Sequence, residues 1–163
     1  MALKTDKDVR ILVVDDDKEV ADMLLEFLVK LGYHATAAYD GREGLTRFEQ
    51  GDFQLVILDL KLPDMDGLEV LEAIKAVDSR AVVLIITGYG TIESSVTAVK
   101  KGAYDFIPKP INLESLEQII SRALEKHTLF KQLGIFRGLT LALIISVPVW
   151  LILGIILAKI LIK

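Results

Sequence analysis

QLVILDL (residues 54–60) and AVVLIIT (residues 81–87) are almost unbroken apolar runs of strand length, the first reaching Asp59 and the second ending on Thr87. Continuous apolarity of this kind marks central strands of a parallel sheet, which helices cover on both faces. Working outward from these two, expected over Phe53–Leu58 and Val82–Ile86, shorter runs at Val9–Val14, Tyr33–Ala38 and Tyr104–Ile107 supply three more strands. The segments between them have helix length. In the first, Val20, Met23, Leu24, Phe27, Leu28 and Leu31 recur at three-and-four spacing, and Gly32 stands where a helix stops. Asp40 with Glu43 has the form of a capping box, while Asp66, Thr91 and Asn112 are suited to open further helices. The helix after Thr91 is expected to bury little more than Ile92, Val96 and Val99, and so to be the least anchored. Strict alternation of strand and helix implies right-handed crossovers and a doubly wound α/β domain.

In such a sheet the functional crevice lies at the carboxyl ends of the strands. Those ends carry Asp15, Asp16 and Asp17 after the first strand, Asp59 after the third, Thr87 on the fourth, and Lys109 with Pro110 after the fifth. Carboxylates gathered in one crevice repel, so Asp15, Asp16 and Asp59 call for a cation. A hard divalent ion such as Mg²⁺, which takes a few oxygen ligands and keeps waters, meets that need. Lys109 adds a second positive charge and the Thr87 hydroxyl can bond a phosphoryl oxygen, a set suited to phosphorylation of a carboxylate.

These residues resemble the receiver domains of two-component response regulators over roughly residues 9–124. The motifs that carry the resemblance are VVDDD at Asp15 and Asp16, LDLKLPDMDG around Asp59, ITGYG after Thr87, and GAYDFIPKP ending in Lys109 and Pro110. From Leu84 to Pro110 the phrasing is most similar to receivers of enhancer-binding activators. The resemblance implies a flavodoxin-like five-stranded sheet in the order 2-1-3-4-5. It implies Asp59 as phosphoacceptor, Mg²⁺ held by Asp15, Asp16, Asp59 and the Lys61 backbone carbonyl, and Lys109 as phosphoryl counter-ion. Thr87 becomes the switch hydroxyl, Phe106 the switch aromatic, and Lys109–Pro110 a cis peptide. The implied donor is a sensor histidine kinase or phosphotransfer protein, and a homodimer could form through the face of the fourth helix, fifth strand and fifth helix. The domain is then no enzyme beyond assisting its own phosphorylation and dephosphorylation.

Plainer roles suit several neighbours: Asp17 as a helix cap, Asp64 and Asp66 as turn and cap residues, His34 and His127 as surface or strand-edge residues. A flavodoxin-like small-molecule binder is the first rival, but its phosphate loop would want glycine and free amides where this first strand leads into acids. An unphosphorylated interaction scaffold is the second, opposed by intact Asp59, Thr87 and Lys109. A phosphate relay or sink is the alternative within the family.

The composition is uneven. No charged residue occurs from Leu139 to Ala158, whereas 17 basic and 23 acidic residues precede Leu139, a net charge of −6 that disfavours nucleic acid as a partner. Without cysteine there is no disulfide framework or thiolate metal site. The start, MALKTDKDVR, lacks the apolar core of a signal peptide. The run LTLALIISVPVWLILGIILA has the roughly 20 residues needed to cross a bilayer as a helix. Lys126, Lys131 and Arg137 before it outnumber Lys159 and Lys163 after it, which agrees with an expected receiver on the cytoplasmic side. The expected organisation is a lead (1–8), the receiver (9–125), a basic juxtamembrane linker (126–138) and a transmembrane helix (139–162) in the inner membrane, with no output domain.

Overall fold

The computed structural model describes residues 9–88 and 91–125. Within them β1 (Arg10–Val14), α1 (Lys18–Lys30), β2 (His34–Ala38), α2 (Gly41–Gln50), β3 (Leu55–Leu58), α3 (Gly67–Val77), β4 (Val82–Thr87), α4 (Ile92–Lys100) and β5 (Asp105–Pro108) alternate along the chain. Residues 113–125 are helical and belong to α5. All strand pairs are parallel and the order is β2-β1-β3-β4-β5, as the resemblance implies. The chain therefore reverses its direction of winding after β2, and β1 and β3 lie side by side at the switch point.

Side chains alternate across the sheet and build two cores. Ile11, Val13, Leu55, Ile57, Leu84 and Ile86 meet Leu24 and Leu28 of α1 and Leu116 and Ile120 of α5. Leu12, Val14, Val56, Leu58, Val83 and Ile85 meet Phe48 of α2, Val70, Leu71 and Ile74 of α3 and Ala98 of α4. Coverage of both faces is why β3 and β4 read as unbroken apolar runs.

The helix starts follow their caps. Asp17 accepts from Glu19 and Val20, Asp66 from Leu68, and Asn112 from Ser115, while Thr91 and Ser94 form a reciprocal capping box. At α2 the Asp40 carboxylate accepts from Glu43 N–H, but Glu43 reaches one residue further back than a capping box would, to Tyr39 N–H at 2.9 Å.

The expectation for α4 is overturned. Ile92, Val96 and Val99 are 82, 47 and 57% exposed, and the buried residue of the helix is Ala98. The small Ala98 side chain lets the helix lie close to the sheet, which turns the larger stripe outward. Full burial of such an aliphatic side chain would stabilise by about 1.5–3 kcal/mol, most of which Ile92 forgoes and part of which Val96 and Val99 forgo. The weak anchoring holds, for the opposite reason to the one expected.

Among the described residues no helix is long and apolar enough to cross a membrane. The span expected over 139–162, the linker 126–138 and His127 lie outside the described residues.

Candidate functional site

The site is assembled by the sheet ladder continued past the strand ends. Asp15 N–H donates to Ala38 O at 3.1 Å, and Asp59 N–H donates to Val14 O at 2.9 Å. The acids after β1 and β3 are thereby set side by side at the switch point. Lys109 follows β5, and its N–H donates to Thr87 O at 3.0 Å, which fixes it beside the end of β4. Its side chain reaches the acids: Nζ is 2.7 Å from Asp15 Oδ2 and 3.4 Å from Asp59 Oδ2. The shorter contact is a charge-assisted hydrogen bond and the longer one a looser electrostatic contact. The Lys109–Pro110 peptide is cis.

The carboxylates differ in what engages them. Both oxygens of Asp15 are committed, Oδ1 to Asp17 N–H at 3.0 Å and Oδ2 to Lys109. Asp59 is held by its own chain, Oδ1 accepting from Leu60 N–H at 2.7 Å, so that Oδ2 is the oxygen nearer Lys109. Asp15 and Asp59 are buried, at 2 and 6% exposure, whereas Asp16 is exposed at the rim. Burial pushes the Asp15 carboxyl above the usual carboxylate range, against the pull of the Lys109 hydrogen bond and charge. Burial alone would lower the Lys109 ammonium, but the hydrogen bond and charge of Asp15, followed by Asp59, outweigh it and raise it.

Oxygens of Asp15, Asp16 and Asp59 all lie within 4.8 Å of one another. An all-oxygen set with more negative charge than one lysine balances is suited to a hard divalent ion. Thr87 is fully buried at the end of β4, and Phe106 on β5 is half-buried, opposite Ile85 in the register. Lys61 lies in the β3–α3 loop and forms an isolated antiparallel bridge with Asp66.

A family model described as the response regulator receiver domain matches residues 11–121. The chain belongs to this family. Receiver domains are phosphoacceptor signalling domains, not enzymes in the usual sense; they interact with sensor kinases or phosphotransfer proteins and bind Mg²⁺ at this acidic pocket. Among curated proteins, the chain is 37% identical over 124 residues to the transcriptional regulatory protein ZraR of Escherichia coli (strain K12), covering 76% of this chain and 28% of that protein. It is 33% identical over 124 residues to the regulatory protein AtoC of the same strain, covering 76% and 27%. The receiver thus spans little more than a quarter of the length of these relatives. A CheY-like receiver domain protein from Methanospirillum hungatei JF-1 superposes with a TM-score of 0.70 at 36% identity, over 74% of this chain and 98% of that one.

Two features of the receiver's pocket were not read from the sequence. Asp64, expected as a turn residue, accepts from Gly41 N–H at 2.8 Å and Arg42 N–H at 2.9 Å, and so caps α2 from the β3–α3 loop. Gly67, the first residue of α3, lies against the acceptor backbone: a Cβ there would stand 2.3 Å from Asp59 O and 2.5 Å from Leu60 Cα. Gly67 is not among the positive-φ glycines, so it is this close approach, and not an unusual backbone conformation, that leaves no room for a side chain. Gly67→Ala is therefore expected to destabilise the receiver by about 1–3 kcal/mol through overpacking against rigid backbone. Helix propensity alone would make the change stabilising by about 1 kcal/mol. Urea unfolding distinguishes the two by sign.

Proposed function

We propose that this chain is a membrane-anchored receiver that accepts a phosphoryl group on Asp59 from a sensor histidine kinase and, in response, alters a self-association surface. The observation that carries the acceptor assignment is the Lys109 ammonium, drawn across the pocket to Asp15 at 2.7 Å and lying 3.4 Å from the second oxygen of Asp59. In the proposed step an Asp59 oxygen attacks phosphorus. One P–O bond forms as the bond to the donor's nitrogen breaks, and the leaving group takes that electron pair. Asp15, Asp16, Asp59 and the Lys61 carbonyl would hold Mg²⁺, which supplies charge neutralisation for the incoming phosphoryl group. Lys109 pairs with the phosphoryl oxygens, and the Thr87 hydroxyl bonds one of them. The test is acceptance of label from a small acyl phosphate with Mg²⁺; undiminished label in Asp59→Asn overturns the assignment.

The output surface is inferred from α4. When Thr87 moves to bond the phosphoryl group, Phe106 turns into the space it leaves, and a local charge change biases a two-state surface. The outward stripe Ile92, Val96 and Val99 offers apolar area for a second copy, and a helix that buries only Ala98 can shift at small cost. The uncharged run over 139–158 supports attachment to the inner membrane, with the receiver facing the cytoplasm. Confinement to the membrane would raise the effective concentration of neighbouring receivers, so a weak contact suffices.

Cross-linking of cysteines introduced on α4, in membranes, is expected to rise several-fold with beryllofluoride and to show no such rise in Thr87→Ala. Equal cross-linking with and without beryllofluoride, in both proteins, would remove this face from the mechanism and favour a monomeric phosphate relay or sink.

A further inference from the structure

We propose that Asp64 is a positioning residue of the acceptor pocket: by tying the β3–α3 loop to the first turn of α2, it fixes the loop that presents the Lys61 carbonyl to the metal. The proposal rests on the metal-assisted acceptor reading above and assigns a role to a residue that stands outside the acidic triad.

The loop from Lys61 to Asp66 is secured at its neck and at its tip. At the neck, Lys61 and Asp66 form a bridge, Gly67 N–H donates to Leu60 O at 2.8 Å, and Gly67 sits against the Asp59–Leu60 backbone. At the tip, the two carboxylate oxygens of Asp64 each take one N–H of α2, from Gly41 and Arg42. These are donors that a helix start leaves without intrahelical partners. Asp40, the cap of α2, takes a different one, Glu43 N–H at 2.7 Å. The adjacent Met65 enters the notch that Gly41 leaves: a Cβ on Gly41 would stand 2.4 Å from Met65 Cγ and 2.7 Å from Sδ.

The anchor on α2 is itself referenced to β1. A Cβ on Gly44 would stand 3.0 Å from both methyls of Val14, the residue before Asp15. A single helix thus registers both halves of the proposed ion site, the acids after β1 and the carbonyl after β3. Small hard cations demand near-ideal oxygen geometry, so a shift of the loop by a fraction of an ångström reads out as lost affinity. The bidentate Asp64 contact gives α2 and the loop one relative position.

The experiment uses the full chain in detergent and Mn²⁺ as the probe, with free Mn²⁺ followed by electron paramagnetic resonance. Asp64→Ala is expected to raise the Mn²⁺ dissociation constant by about tenfold, in line with the loss of other groups that orient metal ligands. Asp64→Asn, which keeps one acceptor oxygen, is expected to fall between Ala and the unaltered protein. Phosphate acceptance by both variants should need more Mg²⁺ yet reach the same plateau, a split that general destabilisation does not produce. Unchanged Mn²⁺ affinity in both variants, even with lower thermal stability in EDTA, overturns the proposal; if the Ala variant does not fold, the Asn variant alone decides. Asp16→Ala separates this failure from the other. If it binds Mn²⁺ as tightly as the unaltered protein, the acidic pocket is not the metal site and the underlying reading falls.

Discussion

Asp59→Asn is expected to reduce acyl-phosphate-dependent labelling to background, leaving the fold intact. Three carboxylates share the pocket, and the prediction depends on why only one of them is a nucleophile. Asp15 has one oxygen on Asp17 N–H and the other in a 2.7 Å contact with Lys109, a tighter pairing than the 3.4 Å contact of Asp59, so its charge is the more fully engaged by groups of the pocket. Asp16 sits exposed at the rim, where water solvates its charge. Asp59 is buried, and its backbone neighbour Leu60 holds one oxygen in place at 2.7 Å while the other lies towards Lys109. An amide has the same shape but neither the charge nor the oxygen nucleophile, so the pocket persists and the chemistry stops. The measurement is hydroxylamine-sensitive label on the purified protein, with thermal unfolding run alongside. Label persisting in Asp59→Asn would transfer the acceptor role to another pocket residue.

Equally large is the effect expected from the tail. The full-length chain should remain in the membrane pellet after alkaline extraction, and a version ending at Lys126 should be wholly in the supernatant. Thirteen Leu, Ile and Val side chains lie between Leu139 and Ala158. At about 0.3–0.6 kcal/mol each on an insertion scale, they favour a bilayer by on the order of 5 kcal/mol. Pro148 and Gly154 subtract from this, but a freed carbonyl in a membrane span is re-satisfied by local adjustment. Appearance of the full-length chain in the alkaline supernatant would show peripheral association and remove confinement from the proposed output mechanism.

The parallel sheet and the gathering of Asp15, Asp16, Asp59 and Lys109 were legible in the residues themselves, whereas the strand order came from the family resemblance. Alternation of strand and helix forces parallel strands, and parallel strands put all their carboxyl ends on one edge. Periodicity could not say which way the stripe Ile92, Val96 and Val99 faces. It marks a side of the helix, and the small Ala98 on the other side won the approach to the sheet. The role of Asp64 was hidden because its partners, Gly41 and Arg42, lie 23 and 22 residues away and are backbone groups with no side-chain signature. Gly67 was read through its neighbour Asp66 as part of a cap, and its contact with the Asp59 carbonyl needed the folded loop.

The ion pair between Lys109 and Asp15 joins residues 94 positions apart, and the contact with Asp59 spans 50. A chain with β1 to β4 in place but β5 still undocked would present its crowded acids without their cation. If Lys109 is the phosphoryl counter-ion proposed above, reactivity at the acceptor is in this sense a certificate of completed assembly. On the proposed mechanism, a half-folded receiver would lack the Lys109 counter-ion and accept phosphate less readily than finished copies.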